Sequence, residues 1–205
     1  KKINSKRGTI RERTIAEYKR IKQETGKRPL RETMYRHMDK NVLNKILGSS
    51  NNIFKSYLAF LDSMGELTEG EKALIGTRAH EFIIDMGKTL MRKAYKMPVL
   101  LAFYNDGDMK MWVNDDDIYK SFKDFYAKDS NWVDLMRHEN TKDYTSWGKE
   151  KYVRIAKDNP IENFAQNTSS FFSIKGDEFC LNESLRQFIN NEDFVIHFKD
   201  VIEYR

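Results

Sequence analysis

The chain is poor in the residues that build cross-linked or turn-dense proteins. Its one cysteine, Cys180, excludes an internal disulfide, and such sparing use fits a reducing, cytoplasmic setting. Three prolines and ten glycines in 205 residues are too few for an all-β protein built on tight turns, and they suit helices. No apolar run is long: residues 97–103 fall far short of the roughly 20 a bilayer-spanning helix needs. Nor does the N-terminus join a charged start to an apolar stretch as a signal peptide does, so a membrane is not an expected partner. The chain opens on Lys1 rather than Met, which leads to the expectation that it is a segment of a longer protein.

What is present is a core-forming composition with an uneven charge. Hydrophobic residues make up 40% and aromatics 13%, enough to exclude intrinsic disorder. Residues 1–45 carry 15 Lys/Arg against 5 Asp/Glu, whereas the remaining 160 carry 21 against 26. A surplus of ten thus sits in the first fifth and a deficit of five in the rest. Such a basic end attracts a polyanion by phosphate contact and counterion release, so nucleic acid, duplex DNA first, is the expected partner.

Local signals divide the chain into elements. Thr9 with Glu12 forms a T-x-x-E capping box, and Gly26 ends the helix it opens. Pro29 opens a second helix, with Leu30, Met34 and Met38 on its buried side. The two, joined by Thr25-Gly26-Lys27-Arg28, make a helix-turn-helix candidate carrying Arg28, Arg31 and Arg36. Helices follow at 41–47 and 52–64. Thr68 with Glu71 caps a longer pattern to about Tyr95, on Ile75, Ala79, Phe82, Met86 and Leu90. A boundary near Gly65 divides a basic helical segment, 1–64, from a domain at 65–205.

The second segment has an ordered succession. Pro98 starts a short helix stopped by Asn105-Asp106-Gly107, and Met109, Met111 and Val113 then alternate as a strand does. Asn114 caps a helix on Ile118, Phe122 and Phe125. Helices at 144–157 and from Asn159-Pro160 follow, then a hairpin about Lys175-Gly176-Asp177, and two last helices on Leu185 and Phe198. Helix, strand, helix, helix, hairpin is the order of a winged helix, with strand 109–113 as the third strand and 128–143 as an insertion. The expected fold is mainly α with a small three-stranded element: an N-terminal helical hairpin plus a winged-helix-like C-terminal unit. Arg154, Lys157 and the wing-tip Lys175 are its phosphate-contact candidates.

Catalytic motifs are incomplete. Gly87-Lys88-Thr89 ends like a phosphate-binding loop, but the required first glycine is Phe82, in a helical pattern. His80-Glu81 starts a zinc H-E-x-x-H, yet Ile84 replaces the second histidine, and Asp134 with His138 lacks a third ligand. His197-Phe198-Lys199 opens an H-x-K nuclease signature whose aspartate position is Tyr204. Asp106, Asp108 and Lys110 make half of a metal-dependent nuclease pattern, but Asp106-Gly107-Asp108 equally makes a turn. Cys180 reads as a small buried hydrophobe. No cofactor, metal or catalytic residue is expected.

Four stretches carry a resemblance: Lys93-Ala94-Tyr95-Lys96-Met97-Pro98-Val99-Leu100-Leu101-Ala102-Phe103, Lys120-Ser121-Phe122-Lys123-Asp124-Phe125-Tyr126, Asn159-Pro160 and Phe171-Phe172. Across about 65–205 the chain resembles the C-terminal accessory region of large bacterial DEAD/DEAH-type superfamily 2 helicases, including restriction-type relatives. The resemblance implies that ATP chemistry belongs to upstream motor domains of the same protein. Its implied role is DNA binding or positioning for that motor. A protein-interaction module docking the motor or another subunit is the alternative, and a metal-dependent nuclease the third reading.

Overall fold

The computed structural model describes residues 8–50, 52–89, 95–104, 108–128, 131–137, 139–168 and 170–204. Helix α1 (Ile10–Thr25) has both arms of its capping box, Glu12 N donating to Thr9 and Thr9 N to Glu12. It ends at Gly26, whose φ of 67° lies in the left-handed region open to glycine. Helix α2 (Arg31–His37) starts two residues after Pro29 and buries Met34. Helix α3 (Lys40–Leu47) is capped by Asp39, which accepts from the amides of Asn41 and Val42. A 3-10 turn, Ile53–Lys55, leads into α4 (Tyr57–Asp62).

The long helix expected after Thr68 is two. Helix α5 (Glu69–Leu74) stops at Ile75, Gly76 takes φ 77°, and Thr77 then caps α6 (Arg78–Lys88) through His80 N. Ile75, expected on the buried line, is accordingly exposed, while Ala79, Phe82 and Met86 keep their places in the core. Leu90 lies outside the described residues, as do the Asn105-Asp106-Gly107 stop, His138, and Lys93 and Ala94.

Helices α7 (Lys96–Ala102), α8 (Asp115–Tyr126) and α10 (Lys149–Ala156) pack in succession, with the short α9 (Val133–Met136) between the last two. Pro160 does not open a separate helix. From Lys157 to Ile161 the chain makes a π turn that runs directly into α11 (Glu162–Asn167). A wider turn is one way a helix accommodates a proline that lacks an N–H. Strands β1 (Trp112–Val113), β2 (Phe172–Lys175) and β3 (Glu178–Leu181) form an antiparallel sheet in the order β1-β3-β2. Trp112 pairs with Cys180 and Val113 with Phe179, and Leu181 N donates to Met111 O at 2.8 Å. Of the strand expected at 109–113 only Trp112 and Val113 form one, and they join the hairpin through β3 as its third strand. The turn has Gly176 at φ 59°, which a two-residue hairpin demands.

The last helix, α12 (Glu192–Tyr204), closes the molecule by packing on α2, α5, α6 and α7. Phe198 stacks on Phe82 with ring centroids 5.6 Å apart. One continuous apolar core runs from Tyr18 to Ile202, so the boundary expected near Gly65 falls inside it. The protein is mainly α with one small three-stranded sheet.

Candidate nucleic-acid interface

Three of the six cations singled out from sequence are held by carboxylates away from solvent or across elements. Arg31 is 1% exposed, so it lies in the core rather than on a phosphate-facing surface. Its Nη1 donates to Asp200 Oδ2 at 3.0 Å and its Nε to Phe54 O at 3.3 Å. Asp200, from α12, also accepts from the backbone amides of Arg31 and Glu32, both at 3.1 Å. Leu30 gives α2 no side-chain cap, so this distant carboxylate caps the helix instead. Arg28 grips Glu71 with both arms, at 2.5 and 2.7 Å, and donates to Glu66 O. Lys157 pairs with Asp115 at 2.7 Å.

His197 links the two buried pairs. Its Nε2 lies 2.7 Å from Glu71 Oε1 and its Nδ1 3.4 Å from Arg31 Nη1. A guanidinium can only donate and an ionised carboxylate only accept, so Nε2 carries the proton and Nδ1 accepts. Burial raises the carboxyl pKa of Asp200 against the pull of Arg31, and it lowers that of the Arg31 guanidinium. For Glu71, burial acts the same way but is outweighed. Hydrogen bonds from His197, Arg28 and the Thr68 amide hold its carboxyl far below the ordinary glutamate value of 4.5. A depressed folded pKa contributes stability that is complete above the unfolded value and is lost as pH falls through the folded one. Glu71→Gln is therefore expected to flatten the loss of stability below about pH 4.5, read by urea unfolding across acid pH. An unchanged slope would contradict this role.

The other three cations face solvent. Among the described residues Arg36 pairs only with Glu32, one turn away on α2. Arg154 on α10 and Lys175 at the hairpin tip are exposed, and neither forms an ion pair among the described residues. Arg154 lies on α10 and Lys175 ends β2 beside the turn into β3. Acidic neighbours temper this face: Asp115, Asp116 and Asp117 open α8, and Asp116 takes Lys149 at 2.6 Å as Asp115 takes Lys157.

The network of Glu71, His197 and Asp200 was missed from sequence. Its signal was there: His197 and Asp200 fall on the same α12 face as Phe194, Phe198 and Val201, and polar groups on an apolar face require buried partners.

The catalytic fragments have other occupations. Lys88 ends α6, and Thr89 Oγ1 donates to Asp85 O, so Gly87-Lys88-Thr89 forms no phosphate loop. The chain is expected not to hydrolyse ATP through this segment; ATP turnover lost in Lys88→Ala would contradict that. Lys110 donates to Asp117 at 2.8 Å, Asp108 is exposed, and Asp106 lies outside the described residues. Among the described residues no three His, Cys, Asp or Glu side chains are placed to hold a metal ion. Cys180 is buried, and burial pushes its thiol pKa up. No described helix is long and apolar enough to cross a membrane. Compared with protein-family models, curated proteins and solved structures, the chain matches none.

Proposed function

We propose that the chain is a nucleic-acid-binding module that holds duplex DNA through phosphate contacts and positions it for an attached ATP-dependent motor. The observation that carries this reading is the winged-helix order of elements with the β1-β3-β2 sheet, which sets Arg154 and Lys175 on its helix and wing. That arrangement lends itself to a helix entering a groove while the hairpin reaches the neighbouring backbone. The charge surplus of the first 45 residues adds a sequence-independent attraction. The motor itself rests on the resemblance to superfamily 2 helicases alone.

Two apolar side chains on the sheet, Trp112 and Ile174, each about half exposed, favour a second reading as a surface that docks the motor or another subunit. Titration of a labelled 20-base-pair duplex by fluorescence anisotropy at several salt concentrations separates the two. Binding that weakens steeply with salt is expected; no binding at low salt leaves the docking reading.

A further inference from the structure

A cleft of about 560 Å³ opens on the opposite end of the sequence from the wing, among α1, the end of α3, the Ile53–Lys55 turn, α4 and α6. Its cations come from three distant places: Arg11 in the first turn of α1, Lys55 in the 3-10 turn and Lys88 at the end of α6. All three are exposed, and none forms an ion pair or hydrogen bond through its side chain with another described residue. The described residues lining the cleft include no carboxylate. That sets it apart in a chain where Lys22, Arg28, Arg31, Lys149 and Lys157 each face an acidic partner from another element.

The local fold produces this convergence. Gly87 brings α6 against the turn: a Cβ there would meet Lys55 O at 3.4 Å and Phe54 O at 3.5 Å. Lys88 and Lys55 are thereby held at one rim. Ser50 and Ser56 add hydroxyl groups that bond no other described residue. The rest of the lining is mainly apolar, from Ile10, Ile46, Ile53, Ala59 and Phe60, with the buried Thr14 and Asn52 among them.

We infer that this cleft binds a nucleotide unit of single-stranded nucleic acid, its phosphate at the Arg11, Lys55 and Lys88 rim and its base on the apolar floor. Unpaired cations with neighbouring hydroxyls suit a phosphate diester. An apolar floor adds affinity only for a base free of its stack, which a duplex does not offer and a single strand does. The volume lies within the range of small-molecule sites, so it takes one unit while the strand continues outside. The inference rests on the nucleic-acid reading and adds a strand to the duplex assigned to the wing.

The test uses the full chain with fluorescein-labelled dT20 and a labelled 20-base-pair duplex, each titrated at several salt concentrations. Removing two phosphate contacts from a single strand costs about 0.7 log unit each at 0.1 M salt relative to 1 M. The double substitution Lys55→Ala with Lys88→Ala should then weaken dT20 binding about 25-fold at 0.1 M salt and leave duplex binding within about twofold. Lys55→Arg with Lys88→Arg should keep dT20 affinity, and Ser56→Asp should lose it; the thermal melt of each variant reports folding. Unchanged dT20 affinity in the alanine variant overturns the cleft, as does an equal loss for strand and duplex. Thymidine monophosphate binding more tightly than dT20 overturns the strand as the ligand. A parent protein that binds duplex and ignores dT20 sinks this inference alone, whereas one that binds neither sinks the nucleic-acid reading with it.

Discussion

Asp200→Ala is expected to destabilise the protein by about 3–5 kcal/mol, because it leaves the Arg31 guanidinium charged, buried and unpaired. It also removes the acceptor of two amides at the start of α2. For a chain of this length that loss lowers the melting temperature by roughly 6–20 °C. Asp200→Asn keeps an acceptor oxygen for only one of the two amides, so it should cost less than the alanine but still destabilise. The pair is not a large net source of stability, since burial disfavours the charged form of both partners. Its role is to join α2 to the last helix, α12, through residues 169 positions apart in the chain. Replacing both residues by apolar ones of similar volume should therefore recover part of the loss. A melt of Asp200→Ala within about 2 °C of the parent would contradict this account.

The same pair explains where sequence and structure diverge. Caps were legible because their chemistry is local: Thr9, Thr68 and Asn114 each complete a capping box within three residues. The sheet was legible for the same reason, through the alternation of Met109, Met111 and Val113 and the turn at Gly176. Partner choice was not. Arg28 and Arg31 lie in the most basic stretch and read as phosphate contacts, yet their carboxylates come from Glu71 and Asp200, 43 and 169 residues away. The split between α5 and α6 was lost because an apolar line continued through Ile75, while one glycine at positive φ decided the backbone. The Arg11, Lys55 and Lys88 cleft carries no sequence motif, since folding alone unites its three segments.

A consequence follows for charge-removal experiments. Replacing Arg28, Arg31 and Arg36 together breaks the buried network, so its effect on DNA binding reports folding. Arg154 and Lys175 are better probes, because both are exposed and neither forms an ion pair among the described residues. Each phosphate contact to duplex DNA contributes about 0.9 to the slope of log affinity against log salt. Substituting both by alanine should flatten that slope by up to about 1.8 and weaken binding by up to about 60-fold at 0.1 M salt, with the melt unchanged.

Phosphate contacts from Arg154 and Lys175 to duplex DNA would show in that slope. Fluorescence anisotropy with a labelled 20-base-pair duplex, run between about 50 and 200 mM salt, spans the range in which phosphate contacts dominate. A steep salt dependence is expected for the parent and a flatter one for Arg154→Ala with Lys175→Ala. A double variant with the parent's affinity and slope, or a parent that binds no duplex at 50 mM salt, would contradict it.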